Sequence, residues 1–557
     1  MRSSGILLPL AAIALAGCSA SRQAPVSPPA PGGAVGGVSR TLPTLTETVS
    51  IEGRVAKASQ TLTREFTDVL VLAPGEAAGL ETENYAHRDD ADFRSVARDP
   101  LSTFSIDVDT ASYANVRRYL VEGARPPADA VRIEELLNYF VYDDPLPAAG
   151  EPFSVVTEVA ACPWNATHRL LRIALRAVPV QFAGRRPGHY VFLVDVSGSM
   201  DEPDKLPLVK KAMKLLAGQL TAQDRVSIVV YAGAAGVVLP PTAASDRTAL
   251  EAAIDNLQAG GSTAGGEGIQ LAYALAREHF VTGGINRVIL ATDGDFNVGI
   301  SSEGALTRLI EEQAKSGVFL TVLGFGTGNL QDAKMEALAD RGNGQFAYID
   351  SEIEARRTLV EQAGGTLVTV AKDVKIQVEF NPAQVAAYRL IGYENRLLAA
   401  EDFRDDTKDA GEIGAGHSVV ALYEIAPPSA DPAARRPVDP LRYQVLSPVE
   451  ASASGELATV KLRFKAPDGD ISVERAFVVT DDGRGVGEAT SELKFAASVA
   501  AFGMVLRDSP HRGTASIDLV RQLAQAGLAY DPDGQRAGFL QLVDRAGTVI
   551  GTPVAAR

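Results

Sequence analysis

Between residues 187 and 365, short unbroken apolar runs alternate with longer segments whose apolar positions recur every three or four residues. The runs fall at 190–194, 226–231, 288–291, 319–324 and 345–349, are bounded by turn residues, and predict strands. The amphipathic segments at 205–220, 248–257, 268–280, 304–315, 330–339 and 352–364 predict helices between them. Strands that are apolar on both faces must be covered on both faces. The alternation therefore predicts a doubly wound, mainly parallel α/β sheet, in which ligands bind beyond the carboxyl ends of the strands.

Outside that block the period falls to two. Segments 153–161 and 168–175 before it, and 374–380, 418–425, 457–464 and 471–479 after it, predict antiparallel strands with polar turns. The shared character of the two groups predicts one β-sandwich into which the α/β domain is inserted. Residues 103–109 alternate like a further strand and lead into a helix that Thr110 or Asp109 could cap, running through Leu120 until Pro126 and Pro127 break it. A second helix presents Val131, Leu136, Leu137 and Phe140 on one face. From Ser491 the pattern is helical again, at 496–506, 517–526 and 534–546. The Pro-, Gly- and Ser-rich stretch after residue 18 buries too little apolar surface to order itself. The predicted division is a largely disordered tether at 19–98, an N-terminal α/β segment at 99–150, a β segment at 151–186, the α/β domain at 187–365, a β-rich domain at 366–480 and a helical region at 481–557.

The candidate chemistry lies at the strand ends. The first buried strand runs into Asp195-Val196-Ser197-Gly198-Ser199. Alternate residues at a strand terminus point the same way, so one carboxylate and two hydroxyls can converge. A glycine-rich loop at 260–266 can bring the Thr263 hydroxyl close, because glycine permits close backbone approach. A third loop, after the strand at 288–291, carries Asp293; Asp295 adds at most a contact behind the ligands. Hydroxyls and carboxylates are hard oxygen donors, and this set suits Mg²⁺, with Mn²⁺ or Ca²⁺ as the alternatives. No His or Cys stands in these loops, which disfavours Zn²⁺. Asp and Ser also cap helices, but a cap explains neither Thr263 nor Asp293. On charge alone, Asp293→Ala is expected to relieve repulsion with Asp195 and raise stability without metal.

The set Asp195, Ser197, Ser199, Thr263 and Asp293 resembles the metal-ion-dependent adhesion site of von Willebrand factor type A domains. The resemblance implies that Ser197, Ser199 and Thr263 bind the metal directly and that Asp195 and Asp293 hold it largely through waters. The segments 103–113, 388–396 and 416–419 extend the likeness to bacterial YfbK-like von Willebrand factor A lipoproteins, over most of the chain beyond residue 98. That likeness implies architecture more than activity.

Arg2, an apolar stretch at 6–16 and the ending Leu15-Ala16-Gly17-Cys18 read as an export signal over residues 1–18. The ending resembles the bacterial lipobox, which implies an acylated Cys18 and a membrane anchor; Ser19 after it implies the outer membrane. Cys162, the other of two cysteines, then has no partner within the chain and is expected as a small buried hydrophobe. A net charge of −16, with no Lys/Arg-rich run, argues against nucleic acid as a partner.

Other acidic positions invite a metal reading and receive a simpler one. Asp107 and Asp109 are expected as strand-end and helix-cap residues. The acidic run Asp405, Asp406, Asp409 and Glu412 before His417 is expected as a solvated turn. Residues 531–534 lack an EF-hand's downstream acid. The function read from the sequence is an envelope-anchored lipoprotein that binds a protein partner, whose acidic side chain completes the metal coordination. The alternative is a metal-dependent enzyme or enzyme subunit acting on envelope material, which needs a base or nucleophile that the sequence does not supply, so no enzyme is expected.

Overall fold

The computed structural model describes residues 82–180, 184–261, 265–294, 303–428 and 454–551. The expected signal peptide, Cys18 and most of the expected tether lie outside them. Strands β1 (Arg94–Ser95) and β2 (Leu101–Ser105) precede helices α1 (Ala111–Val121) and α2 (Ile133–Asn138) and the hairpin β3 (Phe153–Ala161) and β4 (Arg169–Ala177). The α/β domain follows: β5 (Gly188–Asp195), α3 (Leu206–Gln219), β6 (Arg225–Tyr231), β7 (Ala235–Ala243), α4 (Arg247–Asp255), α5 (Gly265–Glu278), β8 (Ile285–Thr292), α6 (Glu303–Ala314), β9 (Phe319–Phe325), α7 (Asp332–Arg341) and β10 (Phe346–Ile349). Its sheet has the order β10-β9-β8-β5-β6-β7. The pairs from β10 to β6 are parallel and β7 runs antiparallel to β6 at the edge. All residues of the central strand β5 are buried, as its apolar run requires. β7 escapes the sequence pattern because it carries Pro240 and Pro241 and exposes Val237 and Val238, features that only an edge strand tolerates.

The chain leaves the domain through α8 (Glu352–Arg356), one π-helical turn at Arg357–Glu361 and α9 (Ala363–Leu367). It then returns to β structure with β11 (Thr369–Phe380), β12 (Ala387–Ile391), β13 (Leu397–Leu398), β14 (Gly411–Gly414), β15 (Ser418–Ala426), β16 (Glu456–Lys465) and β17 (Ser472–Thr480). Strands from before and after the α/β domain share two sheets, β1-β12-β15-β4-β3 and β13-β2-β11-β16-β17, with β14 added to β11. Leu171, Ile173, Val419 and Tyr423 of the first sheet pack on Ile376, Val378, Val460 and Leu462 of the second. The opposite face of the first sheet, through Leu170, Ala174, Val420 and Leu422, is covered by α2, α10 (Ser491–Leu506), α11 (Ile517–Ala526) and α12 (Gln535–Gly551). Layers are thus helices, sheet and sheet, and the doubly covered β12 is buried throughout, which hides its period-two signal. Helix α10 is buried nearly all round, as a helix apolar on every face must be. Among the described residues no helix is long and apolar enough to cross a membrane.

Two expectations change. Residues 82–98 belong to the fold: Glu83 accepts bonds from Arg118, Tyr119 and the Gly328 amide, and β1 pairs with β12. The 99–150 segment is likewise divided among its neighbours, since β2 pairs with β11 and Ala111 and Ala114 join the α/β core.

Buried charge closes the seam between the inserted domain and its host. Arg396 reaches Asp107 at 3.2 Å, Asp109 at 3.4 Å and Asp340 of α7 at 2.7 Å. Of the two cap candidates Thr110 occupies the position, while Asp109 Oδ1 accepts the Phe346 amide of β10 at 2.7 Å. Burial and the adjacent Asp107 push the Asp109 carboxyl well above the usual range, and Arg396 works against them. Arg132 pairs with Glu135 and with Asp332 of α7, while Arg88 holds Glu336 at 2.9 Å. Removing one partner of a buried pair strands the others. Arg396→Leu is therefore expected to lower unfolding free energy by about 3–5 kcal/mol in urea titrations. A loss below about 1 kcal/mol, the worth of an exposed pair, would show that these charges do not hold the seam.

Candidate metal centre

The central strand delivers Asp195, fully buried, to the carboxyl edge of the sheet. The chain then folds back so that the Ser197 amide donates to Asp195 Oδ1 at 2.9 Å. A 3₁₀ turn at Gly198–Asp201 follows, and the Ser197 and Ser199 hydroxyls meet at 3.0 Å. The other oxygen of Asp195 accepts from Tyr231 at the end of β6, at 3.0 Å, and from Thr292 at the end of β8, at 3.1 Å. Strands on both sides thus fix the carboxylate. Burial raises the Asp195 pKa, the bonds from Ser197 and Tyr231 oppose that rise, and the charge of Asp293 adds to it.

Two backbone bonds hold the neighbouring loop against the serines. The Gly198 amide donates to the Gly261 carbonyl at 3.1 Å and the Gly260 amide to the Val196 carbonyl at 2.8 Å. Gly261 has φ 88°, a conformation that a side chain would strain. Thr263, two residues on, lies outside the described residues, as does Asp295.

Asp293 follows β8 and is also fully buried. Its Oδ2 accepts from Lys205 Nζ at 3.2 Å and from Asn329 Nδ2 at 2.9 Å, and Lys205 donates in turn to Asn329 Oδ1 at 2.9 Å. A Cβ on Gly326 would overlap the stem of Lys205, so glycine opens the path for that side chain. Sequence reasoning missed Lys205, Asn329, Tyr231 and Thr292. The signal was available in part: the loop after β9 leaves the same sheet edge as the three loops that were read.

Four of the five expected site residues therefore stand together at the end of β5 and on the loops after β5 and β8. Two hydroxyls and two carboxylates, with no nitrogen or sulfur donor among them, form a hard, anionic set that fits Mg²⁺. The histidines are elsewhere: His189 lies at the opposite end of β5, and burial pushes it and His417 down to about 4. Cys162 is a buried hydrophobe as expected, its thiol pushed up by burial. Asp531 caps α12 through the Arg536 and Ala537 amides. The acidic run at 405–412 divides: Asp405 makes the expected exposed turn with Thr407, but Glu412 is buried.

A doubly wound sheet with Asp-x-Ser-x-Ser at the end of its central strand defines a von Willebrand factor type A domain. Residues 190–362 match that family, residues 79–172 match the family described as von Willebrand factor, and residues 365–549 match the family described as uncharacterized protein YfbK, C-terminal. The chain is 42% identical over 473 residues to uncharacterized protein YfbK of Escherichia coli strain K12, covering 84% of this chain and 81% of that protein. It therefore belongs to the YfbK family. It is also 36% identical over 150 residues to a UPF0353 protein of Mycolicibacterium paratuberculosis, covering 25% of this chain and 44% of that protein. Among solved structures it is similar to the von Willebrand factor type A protein from Catenulispora acidiphila, at 18% identity and a TM-score of 0.38 over 72% of this chain and 91% of that one. The ArnB paralog VWA2 from Sulfolobus acidocaldarius gives 14% identity and a TM-score of 0.36 over 72% and 98%. Domains of the von Willebrand factor A class commonly mediate protein–protein interaction.

Lys205 reverses the expectation for Asp293→Ala. Its side chain is 7% exposed, so deleting the carboxylate strands a buried ammonium. Asp293→Ala should cost about 1–3 kcal/mol in metal-free denaturant unfolding, and Asp293→Asn, which keeps an acceptor, should cost less. A metal-free Asp293→Ala protein more stable than wild type would restore the repulsion argument.

Proposed function

We propose that this chain is a lipid-anchored envelope protein that binds a protein partner through a divalent-metal-dependent site. The observation that carries the reading is the convergence of Asp195, Ser197 and Ser199 at the end of β5, beside Asp293 after β8. Ser197, Ser199 and Thr263 would hold the ion through neutral hydroxyls, and Asp195 and Asp293 would balance its charge. Mg²⁺ is the ion this set suits, with Mn²⁺ or Ca²⁺ as substitutes. Bound there, it offers exchangeable positions that an acidic side chain of a partner can take. The hydrogen bonds that fix Asp195 from β6 and β8 support preorganisation of the edge, since they hold its carboxylate without help from the ion. A partner that engages an ion held by rigid strand ends gives up less conformational entropy.

Binding of Mg²⁺ by calorimetry should be lost in Ser197→Ala/Ser199→Ala, a change that removes donors and adds no bulk. Partner capture from envelope extracts should fall with it, and with EDTA on the wild type. Identical partners in all three cases would sink the reading and leave the β-sandwich as the contact surface.

The anchor makes a separate prediction. Cys18→Ser should abolish acylation and release the protein from the membrane fraction, because the lipid is the anchor this reading invokes. Membrane association of that variant after a salt wash would overturn it.

A further inference from the structure

A second group of carboxylates gathers where β11, the loop after β13 and β14 meet. β11 is bulged there: its register shifts between Ala371 and Val374 against β14, and between Lys372 and Lys375 against β16. Asp373 sits inside the bulge with φ 53°, a left-handed conformation uncommon for a residue with a side chain. Its Oδ1 accepts the Ala410 amide at 3.2 Å and its Oδ2 accepts Lys465 Nζ at 2.7 Å. The contact with Ala410 brings in Asp409, the residue before it, and Glu412, two residues after it.

One carboxylate oxygen from each of Asp373, Asp409 and Glu412 lies within 4.8 Å of the other two. Glu412 is 7% exposed, and its Oε1 has no hydrogen-bond partner among the described residues. Asp409 and Glu412 line a pocket of about 230 Å³, together with Asp340, Arg341 and Arg396. Asp409 is exposed and leaves the pocket open to solvent. Lys465 balances Asp373, while Arg341 acts on Asp409 and Arg287 on Glu412 from farther off. Burial, and then the neighbouring carboxylates, push the Glu412 carboxyl well above the usual range; burial and Asp373 push that of Asp409 to about 6.

We propose that Asp373, Asp409 and Glu412 form a Ca²⁺ site that fastens the 405–412 loop to the bulge of β11. A buried carboxylate oxygen without a partner is costly, and a hard cation supplies the missing contact. The donors are all oxygen, which excludes the ligand chemistry of Zn²⁺. Ca²⁺ takes six to eight oxygens at about 2.3–2.6 Å in flexible geometry, which suits three carboxylates with different surroundings, whereas Mg²⁺ demands near-ideal octahedral geometry at about 2.0–2.1 Å and usually takes one or two carboxylates. The opening beside Asp409 gives the ion its entry and admits the waters that complete six to eight oxygens. The site is independent of the one at the end of β5.

The test uses the full chain carrying Ser197→Ala/Ser199→Ala, so that the first site is silent. Calorimetry with Ca²⁺ should then show one ion per chain, at least tenfold tighter than Mg²⁺, with a rise in Tm on adding Ca²⁺. Glu412→Gln should weaken Ca²⁺ at least tenfold while leaving the metal-free Tm unchanged or higher. Asp409→Asn, at a position that keeps part of its surface in solvent, should weaken it as well. Absence of Ca²⁺ binding in the silent background, binding unchanged in both variants, or Mg²⁺ binding as tight as Ca²⁺ would each overturn the assignment.

Discussion

Three carboxylates hold the Arg396 guanidinium, two just beyond the end of β2 and one in the last turn of α7. Asp107 and Asp109 come from the chain before the inserted domain, Asp340 from within it, and Arg396 from after it. An inserted domain is joined to its host by two chain crossings, which leave it free to tilt unless contacts forbid it. Apolar packing is tolerant of small rotations, because its energy depends on area and not on direction. Ion pairs are not tolerant, since a shift that opens one leaves two largely covered ions without their partner. Arg132 with Glu135 and Asp332, and Arg88 with Glu336, repeat the arrangement on the same helix α7. Such pairs contribute orientation more than net stability.

That fixed orientation reaches the carboxyl edge of the sheet. Helix α7 begins directly after the loop that carries Asn329, so what clamps α7 also clamps the residue that bonds to Asp293. The other side of this loop is pinned by the segment at 82–84: the Thr82 amide donates to Gly328, the Asn84 amide to Leu330, and the Gly328 amide returns to Glu83. Glu83 is itself held by Arg118 and Tyr119 of α1. The candidate site is thus built on strand ends and supported from outside the domain that contains it.

The sequence made legible what depends on local spacing. The buried strands of the α/β domain announce themselves as unbroken apolar runs, and Asp195, Ser197 and Ser199 follow from alternation at a strand terminus. The insertion into a sandwich was readable because period-two strands lie on both sides of the block. What depends on distant partners was not. Asp109 looks like a cap from its neighbours, and only β10, more than two hundred residues later, shows what its carboxylate accepts. Glu412 looks like part of a solvated turn until the bulge at Asp373 is known. Lys205 has no signal at all in its own surroundings, because its partners lie beyond β8 and β9.

Lys205 also sets how the edge would treat a divalent ion under the proposed reading. Asp293 already has a counter-charge in the ammonium at 3.2 Å, whereas Asp195 has hydrogen bonds from hydroxyls and an amide and, among the described residues, no ion pair. The carboxylate with most to gain from a cation is therefore Asp195, the one bound into the central strand. An ion arriving between the two also meets Lys205, and the two positive charges repel. That repulsion weakens its hold on the ion but leaves the edge positive once the ion is there. Neutral hydroxyls from Ser197 and Ser199 preserve the same excess, since they coordinate without cancelling charge. The edge is therefore suited to attract an acidic side chain, at the expense of tight metal retention.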